Sequence, residues 1–506
     1  MIDSLLTSAD RRPLAALVGA ALGFGGGLLA LLIVVLGPVM AFGAVFGLAV
    51  ALYVLTSLSG ALLVMIAVIA LIPFGKVPLG LSPSPTFLDG ALGAFLLVYL
   101  FQWMTGRRRL LRTVSVTAFA LLFAGLVLFA YLMGLRHAPL DMRTMRTVAE
   151  TVAGLLLIPV LVDVVRDEET LRRAVRTIML AGAASAIVGI VLWALPDPTA
   201  EALLNRLGRF EYPTGGVLRY RQDYASILNE RAIGTWIDPN AFGGFLLMAG
   251  AVTAPQVFAT RPVLPRWVSA CLLGLMVIAL FLTDSRGSML SLGAAFVFIA
   301  ALRYRKLLLI MALAVVLAFF LPVTQRYIDK LEAGFTNQDL ETQMRFGEYK
   351  DALTLIGRHP VIGVGFSGTP EIDLYLGVAN TYLTIASHMG LVGLLAYLLM
   401  IGSAFGYAAV HRRAIAAAPS LADLWLGLAA GMVGVLAGGM FDHFYFKIDL
   451  FQPTMTLEWV LLGLMLAAAR LAVERSLAFA AGQPSRGNGE ALPKALKTGQ
   501  PAFKRF

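Results

Sequence analysis

Fourteen apolar runs, most of them long enough to cross a hydrocarbon layer, limit what this chain can fold into. They fall at roughly 14–35, 37–56, 58–74, 87–104, 114–134, 147–165, 177–195, 240–259, 267–284, 287–302, 307–323, 379–410, 422–441 and 453–470. About 20 residues at 1.5 Å rise span a bilayer core, so each run reads as a transmembrane helix. A β-barrel would show alternating segments of about ten residues instead. Only 14% of the residues are charged and 59% are hydrophobic, where a soluble domain is about a quarter charged. The expected fold is all-α: a polytopic integral membrane protein of about 14 transmembrane helices occupying residues 1–478. Residues 479–506, rich in Gly, Pro, Lys and Arg, read as a disordered basic tail.

The net charge of +10 is not a nucleic-acid signal, because much of it sits in short clusters between apolar runs. Threaded from a cytoplasmic N-terminus, Arg107–Arg109 with Arg112, Arg166 with Arg172, Arg173 and Arg176, Arg261 with Arg266, Arg303 with Arg305 and Lys306, and Arg412–Arg413 all fall on the inner side, as does the tail. That is the positive-inside pattern. The N-terminus has no clear signal-peptide cleavage site, so the first run is expected to be retained as a span. Cys271 is the single cysteine and reads as an inert core thiol. The histidines have no zinc-site spacing, and neither metal nor cofactor is expected.

The same threading places two long loops outside, 196–239 and 324–378. Loops of this length are usually functional or disordered, and both contain aromatic and helix-like pieces. In the second, Thr336 or Asn337 is a possible cap for an amphipathic helix carrying Leu340, Met344, Ala352, Leu353 and Ile356, with Gly357 as a plausible stop. Three arginines stand at this outer rim: Arg231 in NERAIGTWIDPNAFGGF, Arg286 in LTDSRGSML and Arg345 at the start of the amphipathic helix. Singly, each reads as a helix-end arginine paired with Glu230, Asp284 or Glu348. Together on one face they read as a site for a phosphate or carboxylate, which the guanidinium fork fits. Arg206, Arg209, Arg219 and Arg221 add positive charge to the first loop.

ERAIGTWIDPNAFGGFLL, LTDSRGSMLSL and RFGEYKDALTLIGRHPVIGVGF followed by ANTYLTIASHMGLVG resemble, in order and spacing, the signature blocks of the O-antigen ligase and polymerase superfamily. The resemblance covers residues about 230 to 393. It implies a membrane-embedded, metal-independent glycosyltransferase of GT-C-like architecture in the bacterial inner membrane, with its site facing the periplasm. Its implied partners are an undecaprenyl-diphosphate-linked oligosaccharide donor, a glycan or lipid acceptor and membrane lipids. Arg231, Arg286 and Arg345 would hold the diphosphate, with Asn240, Asn380, Gly390 and Gly393 in support.

One position departs from the pattern. Ligases of this family place a histidine immediately before the residue matching Asn380, and here that position is Ala379. The acceptor-activating base is then sought among His359, Glu230 and Asp238, with His443 a further candidate. His388 reads as a packed core residue, Asp238 also as a helix-start turn, and His137 and His411 carry no expected role. The missing histidine tilts the reading from ligase towards polymerase. A lipid-linked glycan flippase and a non-catalytic envelope scaffold are the alternatives, and the one-sided placement of the polar residues favours an enzyme over a transporter, which would place them at mid-membrane.

Overall fold

The computed structural model describes residues 57–77, 84–212, 230–305, 340–367, 377–448 and 452–481, with scattered positions between 23 and 56 and between 308 and 313. Thr336, Asn337, Arg219, Arg221, most of the runs 14–35, 37–56 and 307–323, and nearly all of the basic tail lie outside the described residues. The chain divides into two units, Met1–Val64 and Met65–Phe506. In the first, the described positions are largely helical, and Leu58–Leu71 (α1) begins there.

The second unit is an all-helical membrane bundle. Its helices are α2 (Phe87–Met104), α3 (Val116–Gly134), α4 (Met142–Val164), α5 (Glu168–Ala194), α6 (Asp197–Asn205), α7 (Pro239–Thr253), α8 (Arg266–Leu282), α9 (Arg286–Leu302), α10 (Leu340–Arg358), α11 (Thr381–Val410), α12 (Arg412–Ala417), α13 (Pro419–Gly438) and α14 (Gln452–Ala480). Seven of these, α2 to α5, α11, α13 and α14, are long and apolar enough to cross a membrane, and α1, α8 and α9 are shorter apolar helices. Every expected run with a described counterpart is helical. α7 is the enclosed centre, buried from Ala241 to Thr253 and packed against α5, α8, α9 and α13. Its paired glycines admit its neighbours: a methyl group on Gly243 would lie 2.8 Å from Ser288 Oγ of α9, and one on Gly244 2.2 Å from the Phe444 ring. Wrapped by protein, α7 need not match the bilayer in length.

The bundle has two distinct polar ends. At one, Arg108 Nη1 reaches Asp163 Oδ2 at 2.7 Å, Arg166 Nη2 reaches Asp163 Oδ1 at 3.3 Å, Arg112 pairs with Glu474 at 3.1 Å and Arg303 with Asp423 at 3.0 Å. Arg172 donates to the carbonyl of Pro262 at 2.7 Å and Arg470 to that of Val165 at 2.5 Å. The basic clusters separated in sequence thus meet at the ends of α2, α4, α7, α9 and α14 and the starts of α3, α5, α8 and α13. Asp163 is fully buried and serves two arginines. Asp163→Ala should therefore lower unfolding stability in detergent by about 3–5 kcal/mol, the usual cost of orphaning a buried charge pair, while Asp167→Ala at the exposed cap of α5 should cost about 1 kcal/mol.

α11 is not continuous. Gly390 has φ 69° and ψ −177°, a conformation that breaks the i→i−4 ladder and that glycine alone tolerates. Lipid offers no hydrogen bonds, so the freed groups must find partners in the protein. The peptide after α10 supplies them. Leu391 N–H donates to Pro360 O at 2.8 Å and Val392 N–H to Val361 O at 3.3 Å, while Val364 and Gly365 N–H donate to Ser387 O and His388 O at 3.0 and 2.8 Å. Residues 360–365 therefore enter the bundle and run against the break like a short paired strand, wedged against α3 at Gly134.

Candidate functional site

The other polar end is assembled from three helix starts and one turn. Asp238 caps α7, its Oδ1 accepting from Ala241 N at 2.8 Å, and Pro239 occupies the first turn. The segment before it docks on the α8–α9 hairpin: Ala232 N–H donates to Leu282 O at 2.8 Å. Arg231, only 6% exposed, donates from Nε to Thr283 O at 2.6 Å and from Nη2 to Asn240 Oδ1 at 2.5 Å. It thus sits at the C-terminus of α8, where a cation is favoured, and beside the N-terminus of α7. Trp236 pins the loop by stacking on Phe245 at 4.8 Å and donating to Ala70 O at 3.3 Å.

Arg286 is the first residue of α9. The preceding Ser285 makes no side-chain cap and instead donates to Ser288 Oγ at 2.9 Å, while Asp284 takes a left-handed φ of 51° to turn the hairpin. A positive side chain at a helix N-terminus is disfavoured by the dipole unless an anion is shared between them. Gly287 packs on Phe441, whose Cβ would lie 2.9 Å from a methyl group there. The carbonyl of that same Phe441 accepts from the Arg345 guanidinium of α10.

Asn380 caps α11, its Oδ1 accepting from Leu383 N at 3.0 Å, while its Nδ2 donates to Met440 O at 3.0 Å. Thr381 N–H and Oγ1 donate to Gly439 O and Asp442 O at 2.8 and 2.9 Å. The turn after α13, Gly439–Asp442, therefore gathers Arg345, Asn380 and the Arg286 helix, and the shared contacts of α7 with α9 bring in Arg231. The starts of α7, α9 and α11 and three guanidinium groups share this end of the bundle with the carboxyl groups of Glu230, Asp238, Asp284, Glu348 and Asp442.

The base candidates separate. Ala379, the departing position, is bracketed by α10: its N–H donates to Glu348 Oε2 at 3.0 Å and its carbonyl accepts from Tyr349 OH at 3.4 Å. Burial raises the Tyr349 hydroxyl's pKa above its ordinary value. Asp238 is engaged in its cap. Glu230 lines a hollow with Leu192, Trp193, Ala200 and Leu204, on the α5–α6 side of Arg231. His359 follows the last turn of α10, fourteen residues and about 21 Å along the helix axis from Arg345, so the structure does not bring it to the arginines. Gly390 and Gly393 lie about 15 and 20 Å below Asn380, and Gly390 makes the helix break. His388 stacks on Phe366 at 5.3 Å. The backbone carbonyls of 439–442 have no side-chain signature, and only His443 marked that turn in the sequence.

The fold is that of a multi-pass integral membrane protein, with Arg231, Arg286 and Arg345 at one end of its bundle. Residues 271–398 match the family model described as O-antigen ligase, so the chain carries the domain of the O-antigen ligase family. The matched stretch runs from α8 into α11 and includes Arg286, Arg345 and Asn380, while Arg231 lies upstream of it. No curated protein matches the chain.

Proposed function

We propose that the protein is a membrane glycosyltransferase that extends or transfers glycan carried on undecaprenyl diphosphate, with polymerase preferred over ligase. The reading is supported by Arg286 starting α9 beside Phe441, whose carbonyl accepts from Arg345, and by Arg231 bonding Thr283 O in the same hairpin. An acceptor sugar hydroxyl attacks the anomeric carbon, and the lipid diphosphate leaves with the electron pair of the broken bond. Charge grows on the leaving group, and fixed cations in a site of low dielectric stabilise it without reorganising. A single displacement inverts the anomeric carbon. The basic clusters at the opposite end support a cytoplasmic placement of that end in a bacterial inner membrane, and so a site that faces outward.

The break in α11 is a feature also found in transporters. Here the freed backbone groups are bonded to residues 360–365 and are not offered to a passing solute, which favours the enzyme. Deleting the gene and running the surface glycan on a gel tests the reading. Loss of long chains with single repeats retained supports a polymerase, accumulation of unattached polymer supports a ligase, and an unchanged glycan pattern sinks both.

A further inference from the structure

At the end of the bundle opposite Arg231, Arg286 and Arg345, the cations of α5 are matched one by one until Arg176. Glu169 pairs with Arg173 at 3.0 Å, and Glu168 with Arg172 at 3.9 Å and Arg475 at 3.5 Å. Arg172 also donates to the carbonyls of Arg261 and Pro262. Arg176, one turn further along, has no acceptor among the described residues: its Nε is enclosed without a partner, and the half-buried side chain brings the other end of its fork to the surface. The helices packed on α5 offer no counter-charge here. α7 and α8 contain no acid, Asp423 of α13 is held by Arg303, and Glu474 of α14 by Arg112 and Arg470. A guanidinium in a membrane bundle is costly without a partner.

Its position says what that partner is. Arg172, Arg176 and Leu180 follow one another at i, i+4 spacing on one side of α5. Arg172 bonds the peptide that leads into α8, and Leu180 is exposed, so Arg176 stands where the α5–α8 seam meets lipid. A methyl group on Gly182 would lie 3.0 Å from Met276 Sδ, which fixes the register of the two helices. Six residues back along each are Arg176 and Ala270, and Trp267, 72% exposed, is one turn nearer the end. Residues 177–194 of α5 run about 27 Å beyond Arg176, close to the thickness of a hydrocarbon core, so its guanidinium lies at phosphate depth. The exposed side chains of Leu180, Ile187 and Val191 on α5 and of Ile278 and Phe281 on α8 continue from there as apolar surface. We propose that Arg176 binds the phosphate of an anionic phospholipid, with the headgroup beside Trp267 and the acyl chains along α5 and α8. The planar fork offers two N–H groups to two phosphate oxygens, and tryptophan suits the headgroup level. The cytoplasmic leaflet is the anionic one, in keeping with the orientation proposed above, while the site makes no use of the transferase reading.

The test titrates the full chain, purified in a neutral detergent, with phosphatidylglycerol brominated on its acyl chains. The signal is quenching of Trp267, read as the difference between each protein and the same protein carrying Trp267→Phe. Quenching should saturate, and Arg176→Gln should raise the half-saturating concentration about 10–100-fold, the range for hydrogen bonds to a charged group. Arg173→Gln removes an equal charge from the exposed side of the same helix and should raise it no more than about fivefold, the share of one basic residue in the surface field. Arg176→Lys keeps the charge without the fork and should fall between the two, which serves as the reading if Arg176→Gln does not fold. Equal shifts for Arg176→Gln and Arg173→Gln would mean attraction by bulk charge alone and overturn the proposal, as would wild-type binding by Arg176→Lys. Equal quenching by brominated phosphatidylcholine, or displacement of the lipid by an equal concentration of inorganic phosphate, would overturn the choice of an anionic lipid. None of these results bears on glycan transfer, which the gel of the surface glycan reads separately.

Discussion

Arg286→Ala should leave the protein in the membrane at wild-type abundance and stop glycan extension. Arg286 is half-buried at the first position of α9, where it lends charge to a helix terminus and fills no core position. Losing one preorganised donor to a developing anion costs about 10²–10³ in kcat, and an extension that repeats at every unit amplifies this into loss of long chains. Arg286→Lys should recover little, because a point charge does not reproduce the planar fork. Arg231→Ala should stop extension too, but with less protein in the membrane. Its guanidinium is buried and ties Thr283 O to Asn240, so its removal orphans two polar groups as well as the ligand. Long polymer of normal length in Arg286→Ala would sink the diphosphate assignment, and wild-type abundance of Arg231→Ala would show that its bonds do not support the hairpin.

The legible parts of this protein are those written in side chains. Helices α2 to α5, α8, α9, α11, α13 and α14 were readable because length and apolarity are local. The DPN start of α7 was readable because Asp and Pro carry capping chemistry. The arginines stood out because a charge beside apolar runs needs a reason. What could not be read is written in backbone. Phe441 O and Met440 O hold Arg345 and Asn380, yet every residue has a carbonyl. His359 looked close to the site because it shares a sequence block with Arg345, but a straight helix of nineteen residues places the two at opposite ends. Of the apolar positions that periodicity assigned to α10, Met344 and Leu353 are exposed and Ala352 is buried.

Gly390→Ala should be more damaging than any substitution at the arginines, and for a different reason. A methyl group at this position would lie 2.1 Å from Val361 O and 2.5 Å from Ile362 N, and backbone atoms cannot swing aside as a side-chain tip can. The clash falls where residues 360–361 repair the broken ladder of α11, so moving them frees amide and carbonyl groups in an environment without water. Gly363 meets the same constraint from the other side, with φ 67° and a built methyl 2.5 Å from His388 C. Alanine at Gly402 or Gly406, on the same helix with open space around both, is the matched control. The expected outcome is that Gly390→Ala and Gly363→Ala fail to accumulate in the membrane, while Gly402→Ala and Gly406→Ala accumulate and extend glycan normally. Fluorescence-detected size exclusion of tagged full-length protein reads abundance and monodispersity together. A Gly390→Ala protein that accumulates and runs as a single sharp species would mean that α11 can heal into a continuous helix. Residues 360–365 would then be a passenger in the bundle and not the element that holds its break open.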